Sequence, residues 1–160
     1  MEIPIKSMET EEEIRGKAYV HWRCWHEAYA GLVSEAYLEK LTLSKCEQIA
    51  FQWRDNILIA KDGERVIGFL GYGDRGEEAQ NTGEIFALYV LPEYWGKGVS
   101  KKLVEAGLER LKTYPTIALW VLKENPRAIR FYEKCGFTAT GEALYSKAID
   151  ATEIRMVLNR

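Results

Sequence analysis

Two glycines flanking a lysine, Gly96-Lys97-Gly98, stand between a short apolar run and a stretch of helical spacing. Before them, Glu84 to Val90 reads as a strand and Leu91-Pro92-Glu93 as a turn. After them, Leu103, Val104, Leu108 and Leu111 fall on one face of a helix. A strand that passes through a glycine loop into a helix N-terminus presents unpaired backbone N–H groups to an anion. The positive end of the helix dipole backs them. Glycine serves there because a Cβ would hold a phosphate off the backbone. A dinucleotide fingerprint would need a third glycine where Lys101 stands. A Walker loop would need Gly-Lys followed by Ser or Thr, which the sequence lacks.

A second group with chemical capacity lies nearer the start of the chain. Trp22, Trp25, His26 and Tyr29 stand at i, i+3, i+4 and i+7, which puts them on one face of a helix. Such a face can be core or the aromatic wall of a pocket. His21, Cys24 and His26 are metal-ligating types, but on a helix Cys24 points away from His26 and no fourth ligand is evident. No metal is expected.

The elements that must position these residues follow from periodicity and punctuation. Met1 to Lys6 alternates weakly and predicts a short strand. Thr10 can cap a helix from about Glu11 to Ala30, ended by Gly31. Ser34 to Trp53 predicts one or two short helices, with Leu38, Leu41, Ile49 and Phe51 inward. Asn56 to Lys61 and Arg65 to Tyr72 are strands joined by the hairpin signal Asp62-Gly63. Gly71, Gly73 and Gly76, with Asp74, Arg75, Glu77 and Glu78, predict a flexible loop. Thr116 to Leu122 is a further strand. Asn125 caps a helix that starts with Pro126 and closes at Gly136, and Phe137 to Tyr145 and Glu153 to Leu158 supply two last strands. The order is that of an α/β (α+β) fold, a mixed sheet with helices on both faces. On the strand before the glycine loop, Glu84, Phe86, Leu88 and Val90 are expected on one face, and the N–H groups of Leu88 and Val90 point the same way.

Composition narrows the function classes. At 160 residues the chain is expected to form one domain over 1–160 with a real core. A net charge of -2 gives no electrostatic case for nucleic acid. No stretch approaches the length of a membrane span. The acidic start, MEIPIKSMETEEE, is unlike a signal peptide and predicts a cytoplasmic protein. Cys24, Cys46 and Cys135 are odd in number and irregularly spaced, which suits reduced thiols.

Two motifs carry a family resemblance. Trp95-Gly96-Lys97-Gly98-Val99-Ser100 resembles the Q/R-x-x-G-x-G/A loop of the GNAT N-acetyltransferases, with Trp95 in place of Gln or Arg and Ser100 in place of Gly or Ala. The run from Asn125 to Phe137 is similar to that family's second motif, N-x-x-A-x-x-F-Y-x-K-x-G-F. The resemblance implies the GNAT fold and acetyl-CoA as co-substrate. It implies that the pyrophosphate is held by Trp95, Gly96, Lys97, Gly98, Val99, Ser100 and Lys101, and the pantetheine arm by the N–H groups of Leu88 and Val90 and by Asn125. It further implies Tyr132 as the acid that protonates the departing CoA thiolate.

Glu84 precedes Trp95 by eleven residues, the interval between the catalytic glutamate and the Q/R position in the histone acetyltransferase branch. The resemblance therefore implies a general base there, which an amine protonated at neutral pH requires. In the GNAT fold the helices after the first strand border the acceptor, which makes Trp22, Trp25 and Tyr29 candidate acceptor contacts. The expected activity is direct acetyl transfer to a primary amine of a small molecule in a ternary complex. Monomer and homodimer are both open. A non-catalytic acyl-CoA-binding or sensor domain, or an acetyltransferase of protein N-termini or lysines, is the alternative.

Overall fold

In the computed structural model, residues 2–74 and 81–160 are described. In chain order the elements are β1 (Ile5–Ser7), α1 (Glu11–Ala28), α2 (Glu35–Lys40), α3 (Leu43–Gln52), β2 (Ile57–Asp62), β3 (Arg65–Gly73) and β4 (Thr82–Val90). After a short 3₁₀ turn come α4 (Val99–Arg110), β5 (Thr116–Leu122), α5 (Pro126–Lys134), β6 (Thr138–Ser146) and β7 (Ala151–Asn159). The loop expected from Gly71 to Glu78 is replaced in part by β3, which runs to Gly73; its residues Arg75, Gly76, Glu77 and Glu78 lie outside the described residues.

The strands form one seven-stranded sheet in the order β1-β2-β3-β4-β5-β7-β6. Every neighbouring pair is antiparallel except β4 and β5, which run parallel. A parallel pair needs a crossover, and α4 supplies it. The expected helices on both faces are present, and adjacent residues of β3 show it. Phe69 faces α1, where Lys17 and His21 pack against its ring. Leu70 faces α4, where a Cβ on Gly107 would meet its side chain at 2.9 Å.

The face of β4 departs from simple alternation. Gly71 pairs with Ala87, but the next residue, Tyr72, pairs with Ile85, so Phe86 is an extra residue on β4. A bulge of this kind reverses which parity faces which side. Before it, Gly83 packs toward Leu111 and Tyr114 at the end of α4. After it, Val90 packs over Gly68 beside Leu103 of α4. Glu84 therefore faces the α1 side, opposite to the side chains of Leu88 and Val90, and the single face expected for all four residues is corrected by the bulge.

Helix α1 is fastened at its start. Thr10 and Glu13 form a capping box, and the Glu13 carboxylate accepts from the backbone N–H of Glu9 (2.8 Å) and Thr10 (3.0 Å). Lys6 of β1 (2.6 Å) and Lys61 of β2 (3.2 Å) donate to the same carboxylate. Glu13 is only 4% exposed. Burial by itself would raise its pKa; the hydrogen bonds from Lys6, the two backbone groups and Lys61 outweigh burial and hold it at about 2.

A carboxyl held below its unfolded value stabilises the fold above that value and loses the contribution as pH falls toward the folded one. Stability should therefore drop between pH 4.5 and about 2. Glu13→Gln should cost about 2–4 kcal/mol at pH 7 and flatten that acid limb. Denaturant titrations at pH 7 and pH 3 check this; wild type and variant losing stability in parallel on acidification would contradict it.

Candidate active site

The site begins where two strands part. The β4–β5 ladder pairs Thr82 to Ile85 with Thr116 to Leu119 and stops there. Beyond Ile85, β4 stays paired only with β3. On that side the Leu91 N–H donates to the Ile67 carbonyl (2.9 Å), and two-residue steps along the register place the N–H groups of Tyr89 and Ala87 toward β3 as well. Leu88 and Val90 consequently turn their N–H and C=O groups into the gap beside β5. The Val90 carbonyl there accepts from the indole N–H of Trp95 (2.8 Å) and from the Cys24 thiol (3.5 Å). The gap widens into a cleft of about 710 Å³.

One end of the cleft is formed by the glycine loop and the N-terminus of α4. Gly96 and Gly98 have φ of +76° and +80°, and a Cβ on either would meet nothing within 4 Å. Gly98 is the N-cap of α4 and makes no side-chain cap, so Val99, Ser100 and Lys101 bring N–H groups of the first turn to the lining without a side-chain acceptor. Lys97 is not in the lining, and its ammonium lies 5.6 Å from the centre of the Tyr94 ring. Trp95 lines the cleft: its indole is fixed to Val90, and the Arg127 guanidinium stacks on its ring at 3.8 Å. Asn125 lines the cleft and caps α5, accepting from the Ala128 N–H (3.3 Å).

Phenols gather in the middle. Tyr132 lines the cleft at 9% exposure, edge-on to Phe131 and Phe137. Burial raises its pKa above the usual phenol value, with smaller pushes from Tyr29 and Cys135, so the hydroxyl stays protonated at neutral pH. Tyr29 donates to the Tyr89 hydroxyl (3.3 Å), and both line the cleft. The Cys24 thiol is pushed up to about 12, chiefly by burial, and is no thiolate.

The far end is walled by Trp25 and Ala28 of α1 and its C-cap Tyr29, by Leu122 and Ile149, and by Glu153 of β7. The structure thus brings Trp25 and Tyr29 into the cleft with Tyr132, Asn125, Leu88, Val90 and the glycine loop, except Lys97. Trp22 is not among the lining residues: one turn earlier on α1, it packs against Tyr19 and His26. Glu84 also stands behind the lining, which on β4 starts at Ile85. Cys24 and His26 diverge as helical geometry requires, Cys24 bonding the Val90 carbonyl and His26 the Leu41 carbonyl (2.7 Å), while half-buried His21 packs against Trp25, Phe69 and Tyr89. Among the described residues, no group of three or more His, Cys, Asp or Glu side chains is arranged for a metal. Arg127 and Glu153 escape a reading of the sequence. Arg127 occupies an unspecified position of its motif, and Glu153 reaches the cleft only through the β5–β7 pairing.

The family model described as "Acetyltransferase (GNAT) family" matches residues 18–137. An uncharacterized N-acetyltransferase of Archaeoglobus fulgidus is 34% identical over 120 residues, spanning 69% of this chain and 79% of that protein. A mycothiol acetyltransferase of Corynebacterium glutamicum is 29% identical over 128 residues, spanning 77% of this chain but 40% of the relative. The fold matches the crystal structure of the PaiA N-acetyltransferase from Thermoplasma acidophilum in complex with coenzyme A. There the TM-score is 0.77, with 24% identity and full coverage of both chains.

Gly98 offers a sharp test of the anion end. A side chain there must adopt φ of +80° and would project into open space at the cleft. Gly98→Val should lose about 1–2 kcal/mol of stability from backbone strain and at least tenfold in acetyl-CoA affinity. Gly63→Ala, at φ +61° in the β2–β3 turn and equally without neighbours, is the strain control and should keep wild-type affinity. Calorimetric titration decides; a folded Gly98→Val protein with unchanged acetyl-CoA affinity would contradict the assignment.

Proposed function

Because the chain belongs to the GNAT acetyltransferase family and is an acetyl-CoA-dependent N-acetyltransferase, we propose that it acetylates the primary amine of a small molecule by direct attack in a ternary complex, with residues 1–160 acting as one domain. The observation that carries this reading is the continuity of the cleft. It runs from the uncapped N-terminus of α4, past the inward N–H groups of Leu88 and Val90, to Tyr132 and then to an aromatic end. The likeness to a mycothiol acetyltransferase supports a small acceptor.

Each segment has a task. The first-turn N–H groups of α4 and the ammonium of Lys101 would hold the pyrophosphate. The Leu88 and Val90 N–H groups would hold the pantetheine arm as an added strand, and one of them would donate to the thioester oxygen, where charge gathers during attack. Acetyl-CoA supplies an activated acyl group with a thiolate leaving group. Tyr132, protonated and in the lining, would give its proton to that thiolate. Two facts favour direct transfer over an acyl-enzyme: Cys24 is the cleft's thiol, and it is neutral.

A proton must also leave the attacking amine. Glu84, on the α1 side but behind the lining, would accept it through an intervening water.

Tyr132→Phe should lower kcat about 10- to 100-fold, the modest end of general-acid contributions, with little change in KM for acetyl-CoA. Thiol-release kinetics measures it, and a normal kcat would return Tyr132 to a packing role. Glu84→Gln should lose rate mainly where the acceptor is protonated and recover as pH approaches the amine's pKa. A pH–rate profile parallel to wild type would show that Glu84 is no base.

A further inference from the structure

Charge is distributed unevenly along the cleft. Lys101, Arg127 and two helix N-termini line the end assigned to the cofactor, while Glu153 lines the aromatic end. Glu27 also borders the cleft, where Arg23 donates to it (3.1 Å) and to Glu93 (2.7 Å) ahead of the glycine loop. Glu153 sits directly across from Leu122 in the β5–β7 ladder, and directly opposed residues share a face. Leu122 packs with Val33, Leu38 and Ile149, against Trp25 and Tyr29. The carboxylate is therefore on the α1 side of the sheet, beside the two aromatic residues.

The chain also crosses beside this end. The Ser34 N–H donates to the Ile149 carbonyl (2.6 Å) and ties the chain after α1 to the turn before β7. Behind that bond, Val33, Leu38, Leu122 and Ile149 form a buried cluster of their own.

We propose that Glu153 is the docking group for the acceptor's ammonium and that Trp25, Tyr29, Leu122 and Ile149 contact its apolar body, so that the acceptor is an aryl-alkyl or alkyl amine without a carboxylate next to the nitrogen. Glu153 and the two aromatic faces attract the cation together. An α-amino acid would bring its own carboxylate up to Glu153 and be repelled. Burial raises the Tyr29 pKa, its bond to Tyr89 works against that, and Glu153 adds a further push, which agrees with a carboxylate close to that ring.

This inference rests on the acetyltransferase reading, and the test separates the two. Thiol release is measured with 2-phenylethylamine and with phenylalanine, on wild type and on Glu153→Gln, alongside calorimetry of acetyl-CoA binding. Wild type should prefer 2-phenylethylamine by about 100-fold in kcat/KM. Glu153→Gln should raise KM for that amine about 10- to 100-fold, the size of a lost charge-assisted hydrogen bond, shrink the preference, and leave acetyl-CoA affinity within about twofold. An unchanged amine KM, equal use of phenylalanine by wild type, or weakened acetyl-CoA binding in the variant would each overturn the role of Glu153. Wild type that binds acetyl-CoA and acetylates other amines but not 2-phenylethylamine would overturn the proposed acceptor class alone. Failure of wild type to bind acetyl-CoA would overturn the reading beneath it. If the variant does not fold, the wild-type preference decides.

Discussion

The parting of β4 from β5 after Ile85 is the constraint on which the site depends. A sheet normally satisfies its backbone groups on both sides of an interior strand, and an unpaired row inside it costs stability unless water or a ligand meets it. Here the bulge at Phe86 and the divergence of β5 leave Leu88 and Val90 with one side open. The Val90 carbonyl is met by Trp95 and Cys24. The two N–H groups are left to the cleft. The glycine loop, α4 and α5 then follow directly from the ends of the two diverging strands, so both helix N-termini come to the same opening.

Helix α1 supplies the opposite wall, and its two ends do different work. Its N-terminus is fixed by Glu13 to β1 and β2 through charge-assisted bonds that are largely shielded from water. Its C-terminal turn carries Cys24, Trp25, Ala28 and Tyr29 into the cleft. A rigid attachment at one end holds the aromatic face at the other, which matters because a small displacement of positioning residues is expensive in rate.

Sequence reached the local features and missed those set by pairing. The Asp62-Gly63 hairpin, the Thr10 and Asn125 caps, the glycine loop and the Tyr132 motif are each legible within about ten residues, because turn and cap chemistry is local. The face of Glu84 was not legible: an extra residue on β4 appears only once the β3 register is known, and it turned that carboxylate to the other side of the sheet from Leu88. Helical spacing grouped Trp22 with Trp25 and Tyr29 correctly, but a stripe two turns long extends past the pocket it enters. Glu153 has no local signature at all. Its place beside Tyr29 comes from its position opposite Leu122.

The central claim is that the cofactor arm completes the open side of β4. Amide exchange resolved by residue, followed by NMR without and with coenzyme A, tests it most directly. In the free protein Ala87 and Tyr89, bonded to β3, should exchange slowly, while Leu88 and Val90 exchange fast. Coenzyme A should slow Leu88 and Val90 strongly and leave Ala87 and Tyr89 nearly as they were. Leu88 and Val90 already as slow as their neighbours, or unmoved at saturating coenzyme A, would contradict the account.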